Sequence, residues 1–260
     1  ENNKAIEAYK QAVRVNPNYA KAVNNIAVVL YKQKRYKESA QIFEIALQVD
    51  ENYFEVYSNK GAAYNKAKEY DKAIESLEMA ILKMPNHGGA YTNLGNVYNK
   101  LHDYEKASKL HEKSIELEPN GSNAYSNLGT SYKYLGLSNK AISSYKKAIE
   151  LDPNFVNAHF DLATMYLAME DFENGWKEYE WRFKKEEMIP HIIRHKDIFS
   201  KPLFTGAEDI KGKVLLLHSE QGYGDSIQFI RFLPQIKEKF GCKIAVKCRE
   251  GLKELFSTIE

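Results

Sequence analysis

The sequence holds only two cysteines, Cys242 and Cys248, too few for a disulfide framework and without the partners of a Cys-based metal site. It also lacks an excess of one charge. Lys and Arg number 37 against 35 Asp and Glu, a formal net of +2, so no long-range field draws nucleic acid or an anionic lipid surface to the chain. Long apolar runs are missing as well: stretches such as Val214–Leu217 fall far short of the roughly 20 residues that cross a bilayer. Nor does an apolar leader open the chain, because Glu1 begins a charged, helix-like segment. Together these absences predict a cytoplasmic protein of a reducing compartment, with no nucleic-acid partner, no membrane span and no resident metal. A length of 260 residues leaves room for one or two domains with a substantial core.

What is present is a period. Tyr91–Asn120 and Tyr125–Asn154 superimpose without a gap at a spacing of 34. The same step joins Ala27, Gly61, Gly95 and Gly129, and it joins Ala5, Ser39, Ala73, Ala107 and Ala141. Pro17, Pro85, Pro119 and Pro153 follow it too, with Glu51 as the one break. Inside each unit, apolar and small residues recur at helical spacing, as in Tyr91, Leu94, Gly95, Tyr98 and Leu101. Each unit thus reads as a helix pair closed by an Asx/Glu-Pro-Asn turn that stops one helix and aims the chain at the next. A small residue where the two helices cross lets their backbones approach. One such pair cannot bury its own apolar face, so neighbours must stack into a solenoid.

This pattern resembles the tetratricopeptide repeat, whose marks are a small residue in the first helix, an alanine and an aromatic in the second, and a closing proline. The expected fold is mainly α: a right-handed superhelical solenoid over residues 1–183, followed by an incomplete α/β Rossmann-like unit. The chain starts on Ala5, Tyr9, Ala12 and Pro17, the second helix of a repeat, and four full repeats follow. A degenerate fifth unit runs from about Val156 to Phe183, with Gly175 in the alanine position. Its two tryptophans, Trp176 and Trp181, are expected to seal the solenoid end as a cap. Starting and stopping within structural units, the chain reads as a piece of a longer protein.

The sixth position of each repeat carries Asn25, Asn59, Asn93 and Asn127, then Asp161. Asparagine is a mediocre helix former, so four in one register call for a reason beyond helix formation. An amide offers donor and acceptor together and can pair with the backbone of an extended peptide of any sequence. This ladder resembles that of the superhelical repeats of O-linked N-acetylglucosamine transferases, which holds substrate polypeptide. The resemblance implies a protein or peptide partner on the concave face. The competing reading, in which the amides bond to the neighbouring repeat and fix stacking, stays open. Lys32, Lys66 and Lys100 could favour an acidic partner but suit a helix C-terminus equally. A carboxylate clamp would want lysine at the fifth position, where the chain has Asn24, Ser58, Thr92, Ser126 and Phe160. Asn120-Gly121-Ser122 matches a glycosylation sequon and reads as an inter-repeat turn.

After Phe183 the register ends. Residues 184–212 read as a connector, in which His191 and His195 lack a third ligand for a metal. From residue 213 to 260 the pattern is that of a Rossmann-like start. A buried parallel strand is expected at Lys213–His218, a Gly-containing loop at Ser219–Gly224, and a helix over Asp225–Phe240. A second strand at Lys243–Cys248 and a helix from Glu250 follow. Two strands are too few for a stable parallel sheet, so more of that domain is expected past residue 260. The loop is neither a dinucleotide fingerprint, since Ile227 replaces the third glycine, nor a P-loop.

The segment GKVLLLHSEQGYGDSIQFIRFLP, with GWKEYEWRF upstream, resembles a bacterial family in which tetratricopeptide repeats precede a GT-B-type glycosyltransferase domain similar to that of heptosyltransferases. The resemblance implies that Asp225 acts as general base, with His218 and Glu220 as alternatives, and that Gln221, Gly222 and Gly224 form an acceptor loop. It implies a nucleotide-sugar donor for the complete protein, no cofactor in these residues, and no turnover by them alone. Asp225-Ser226-Ile227-Gln228 also fits a helix N-cap, and acceptor hydrogen bonding is a third role for the same carboxylate. The rival function is a non-catalytic scaffold for protein assembly, and self-association through exposed ends or a sheet edge stays open.

Overall fold

The computed structural model describes residues 2–185, 204, 206–218, 223–248 and 250–257. The chain divides into two compact units, Glu1–Arg182 and Phe183–Glu260.

The first unit is a run of antiparallel helices. Helix α1 (Asn2–Val15) precedes five pairs: α2 (Ala20–Lys32) with α3 (Tyr36–Val49), α4 (Glu55–Lys66) with α5 (Tyr70–Lys83), α6 (Gly88–Lys100) with α7 (Tyr104–Leu117), α8 (Ser122–Tyr134) with α9 (Ser138–Leu151), and α10 (Val156–Ala168) with the shorter α11 (Phe172–Tyr179), which runs into a 3-10 turn at Glu180–Lys184. Each helix packs on the next in sequence. In addition α4 meets α6, α6 meets α8 and α8 meets α10, so the first helices of successive pairs touch one another directly. The stack is therefore tighter on the first-helix layer and bends toward it.

The small residues of the period sit where two helices of a pair cross. A methyl group on Gly61, Gly95 or Gly129 would lie 2.4, 2.6 or 2.7 Å from Leu77, His111 or Tyr145. Only glycine lets these helices close to that distance. The facing positions, Phe43, Leu77, His111 and Tyr145, are almost fully buried; Phe43 and Leu77 join Val23, Val56, Leu94 and Val97 in one apolar cluster, and Tyr145 joins Leu162 and Met165 in a second. Beyond the helix ends, Asn16, Asp50 and Asp152 each accept the N–H two residues on through a side-chain oxygen. Asp50 keeps that Asx turn although Glu51 replaces the proline of the series.

Within each pair the connection repeats a detail that the sequence conceals. Lys34, Lys68, His102, Gly136 and Glu170, again 34 apart, have φ of 63, 63, 63, 74 and 62°. The next N–H reaches back to the third-last carbonyl of the helix, as in Arg35 to Leu30, Glu69 to Tyr64 and Asp103 to Tyr98. This is the left-handed helix stop that normally selects glycine, yet here glycine occupies it once in five.

The two tryptophans expected to cap the solenoid take different places. Trp181 stacks on the His159 ring, centroids 3.8 Å apart and planes within 5°. His159 in turn lies 2.5 Å from Glu178 Oε2 through Nδ1 and 3.1 Å from the Pro153 carbonyl through Nε2. Trp176 instead stays 54% exposed on α11, edge-on to Tyr179.

In the second unit, β1 (Val214–His218) and β2 (Lys243–Lys247) pair in parallel, from Val214 with Lys243 to His218 with Lys247. The strand–helix–strand order is as predicted, with three corrections. The helix expected over 225–240 is two helices, α12 (Tyr223–Ile230) and α13 (Leu233–Phe240), because Pro234 has no N–H to give and its ring would meet the Ile230 carbonyl in a continuous helix, whereas it fits the first turn of a new one. Strand β1 is not buried on both faces: Val214 and Leu216 are 64% and 42% exposed. The last helix is short, a 3-10 turn at Glu250–Leu252 followed by α14 (Lys253–Phe256). Two parallel strands are the described sheet, and a full Rossmann sheet is more than they establish.

Candidate functional site

The layer toward which the stack bends presents one row of polar side chains per first helix. Helix α2 supplies Asn24 and Asn25, α4 Ser58 and Asn59, α6 Thr92 and Asn93, α8 Ser126 and Asn127, and α10 Phe160 and Asp161. These positions recur together because a 34-residue unit places equivalent residues in the same attitude in each pair.

The five members of the ladder are not equivalent. Asn93 donates from Nδ2 to Ser58 Oγ at 3.2 Å, tying α6 to α4. Asn25 accepts from Asn24 Nδ2 at 3.3 Å, while the buried Asn24 Oδ1 has no partner. The Asn59 and Asn127 side chains make no hydrogen bond among the described residues, and Asn59 is exposed. Asp161 accepts from Thr164 Oγ1 through its backbone carbonyl at 2.7 Å. One amide thus bridges repeats as the stacking reading requires, and two are left with donor and acceptor open.

A second polar row, one helical turn or more further along, escaped the sequence reading. Asn99 Oδ1 accepts from Ser131 Oγ at 2.9 Å, joining α6 to α8, and Asn99 Nδ2 lies 3.3 Å from His111 Nε2. Lys133 Nζ reaches Thr164 Oγ1 at 3.3 Å, joining α8 to α10. Burial alone pushes the fully buried His111 down to about 4. Tyr145, whose hydroxyl is 3.2 Å from Thr130 Oγ1, is pushed up mainly by burial, with a further push from Asp161. The legible signal was the 34-residue spacing of Asn65 and Asn99.

Lys32, Lys66 and Lys100 are exposed and each is the last residue of its helix, where a cation meets the negative end of the helix dipole. The layer is otherwise dominated by amides and hydroxyls rather than charges.

The loop proposed for chemistry is described in part. Glu220, Gln221 and Gly222 lie outside the described residues, as do His191 and His195. His218 ends β1, and Gly224 and Asp225 fall within the first turn of α12. The helix therefore begins two residues before Asp225, which removes the N-cap assignment, and Gly224 is helical rather than part of a loop. Among the described residues no group of three His, Cys, Asp or Glu could hold a metal ion. No described helix is long and apolar enough to cross a membrane.

Tetratricopeptide repeat family profiles match residues 1–53, 54–118, 86–154 and 144–178. No curated protein matches the chain by sequence. Among solved structures, a thermophilic TPR protein of Thermus thermophilus is 20% identical over 68% of this chain and 97% of its own, with a TM-score of 0.60. A MamA chain from Desulfovibrio magneticus RS-1 is 24% identical over 64% and 97%, with a TM-score of 0.55. YrrB, a TPR protein with an unusual peptide-binding site, is 21% identical over 74% and 99%, with a TM-score of 0.50. At these identities the likeness is one of fold.

Proposed function

We propose, for a chain that belongs to the tetratricopeptide repeat family over residues 1–178, that the first-helix layer binds an extended polypeptide through its backbone. The observation that carries this reading is the pair Asn59 and Asn127, two amides of the ladder with donor and acceptor unengaged on the concave side. An amide can meet a peptide N–H and C=O at once, which gives affinity without demanding a side-chain sequence. Along the ladder itself amides and hydroxyls outnumber the one carboxylate, Asp161, which favours a peptide backbone over an acidic ligand. YrrB shows that a protein of this fold is known for a peptide-binding site.

The test is isothermal titration against a set of uncharged, extended synthetic peptides. Asn59→Ala with Asn127→Ala should weaken binding by about 30-fold or more, four hydrogen bonds at roughly 0.5–1.5 kcal/mol each, and leave the melting temperature unchanged. Asn93→Ala should lower stability by about 1 kcal/mol, because it removes the bridge to Ser58. Unchanged affinity in the double variant would sink the peptide reading and leave a scaffold whose ladder only fixes stacking.

A second reading concerns the α/β unit. Strands β1 and β2 run parallel with two helices between them, the unit with which a nucleotide-sugar-dependent glycosyltransferase domain of GT-B type begins. The solenoid would then recruit a polypeptide acceptor, with Asp225 as general base, His218 and Glu220 as the alternatives, Gln221 and Gly222 along the acceptor loop, and Gly224 in the first turn of the helix that follows. Thermal stabilisation of the complete protein by one nucleotide sugar, and transfer lost in Asp225→Asn, are the expected results. No response to any donor would remove it.

A further inference from the structure

The connections within the helix pairs line one edge of the solenoid, away from the ladder. Neighbouring connections touch: Lys37 Nζ lies 3.7 Å from Glu69 Oε1 between the first and second, and the Tyr104 and Tyr134 rings stack at 4.7 Å between the third and fourth. Charge changes sign along this edge. In the first connection Lys32, Lys34, Arg35 and Lys37 stand against Glu38 alone. The fifth, residues 168–174, carries Glu170, Asp171 and Glu173 and no cation. Large apolar side chains turned to solvent run from the third connection into the fifth: Leu101, Tyr134 and Leu137 are 43%, 60% and 42% exposed, and Met169 and Phe172 lie within the acidic segment itself. Tyr134 and Leu137 stand where the first two repeats have Lys32 or Lys66 and Arg35 or Glu69, so the period does not require them.

An edge that exposes large apolar side chains and carries charge of opposite sign at its two ends marks an interaction surface. Here the two ends are complementary to each other. An isologous two-fold contact sets a surface against its own reversed copy, which places the basic end of one protomer on the acidic end of its partner twice over. We propose that this edge is the interface of an antiparallel dimer, a second copy of the chain laid along it, with the third connections, which carry Leu101, on the two-fold axis and Tyr134 and Leu137 beside it against the partner's second connection. The assignment is independent of the peptide reading, which concerns the first-helix layer.

The experiment is sedimentation equilibrium of the full chain over a concentration series, at low and at high salt. A dimer is expected, loosening as salt screens its ends. Two variants then test the orientation. Glu170→Lys with Glu173→Lys makes both ends basic, and Lys34→Glu with Arg35→Glu makes both acidic. Each alone should raise the dimer Kd by about 10-fold or more, since every reversal counts twice across the axis. An equimolar mixture of the two should recover a heterodimer near the wild-type Kd. Lysine already holds the left-handed position at 34 and 68, so Glu170→Lys is compatible with the turn. Tyr134→Ser with Leu137→Ser should give a monomer at both salts, with unchanged circular dichroism as evidence of folding. A monomeric wild type, an oligomer indifferent to the reversals, or a mixture that fails to pair would each overturn the proposal.

Discussion

Acidification should weaken the third repeat through one side chain. The His111 ring is fully buried, and its state is fixed by a chain of hydrogen bonds. Ser131 Oγ, with the Asn127 carbonyl at 3.1 Å and Asn99 Oδ1 at 2.9 Å, donates to the nearer Asn99 Oδ1, which turns the Asn99 Nδ2 toward His111 Nε2. That nitrogen must accept, so the proton sits on Nδ1, which has no partner. A second proton would put two donors face to face in an apolar interior, and burial holds the ring at about 4 against an ordinary value of 6.5. Above the unfolded value both states are neutral and pH does nothing. As pH falls from 6.5 toward 4 the unfolded chain takes up a proton that the folded one refuses, and stability is lost in that window. The loss is about 2 kcal/mol near pH 5 and about 3 kcal/mol near pH 4, at 1.36 kcal/mol per unit. The measurement is urea unfolding followed by circular dichroism at neutral pH and near pH 5, on the wild type and on His111→Leu. Leucine is what the preceding repeat carries at the same place, Leu77. The carboxylates titrate alike in both proteins and cancel. The difference in unfolding free energy between the two should shift by about 2 kcal/mol toward the leucine variant on acidification. Parallel pH profiles would refute both the assigned proton and its burial.

Two further substitutions test the backbone. Lys68→Gly should raise stability by about 0.5–1 kcal/mol, because lysine holds φ of 63° there without a side-chain contact, and glycine does so without strain. Thermal unfolding reads this directly, and a lower melting temperature would mean that the left-handed turn carries no strain. Gly129→Ala should lower stability by about 2 kcal/mol, since the added methyl would lie 2.7 Å from the Tyr145 ring. The better helix propensity of alanine returns about 1 kcal/mol at most, so a stabilised variant would show that the α8–α9 crossing can open freely.

The helices were legible because three constraints coincide every 34 residues: a small residue at the crossing, a large one facing it, and an Asx or proline stop. Each removes a different alternative, and together they fix helix ends to within a residue or two. The left-handed stops were not legible, because a glycine signals them only at Gly136, and Lys34, Lys68, His102 and Glu170 adopt the same φ under the pull of packing on both sides. Amphipathic spacing across Ile227–Phe240 concealed the break at Pro234, since a face can continue across two helices that the backbone cannot join. For the ladder, periodicity gave direction but not partners. It placed Asn59, Asn93 and Asn127 alike, and only Ser58 next to Asn93 separates a bridging amide from two open ones.

The core and the candidate face are coupled through the same register. Where the large residue at the crossing carries a polar atom, the first helix of its own repeat supplies the partner: Asn99 for His111 and Thr130 for Tyr145. Where it is apolar the partner goes unmet. Asn65 stands 34 residues before Asn99, yet it faces Leu77 instead of His111 and Val97 instead of Ser131, and its buried Oδ1 has no hydrogen bond. Polar residues at the crossing, on the same first helix and on the next one therefore act as a set, and a repeat holding one member without the others leaves a buried group unsatisfied, at roughly 1–3 kcal/mol. The third and fourth repeats hold such sets, and the side chains that complete them, Asn99 and Thr130, are engaged inward. Asn59 and Asn127 belong to no set, which is the physical reason their amides stay open.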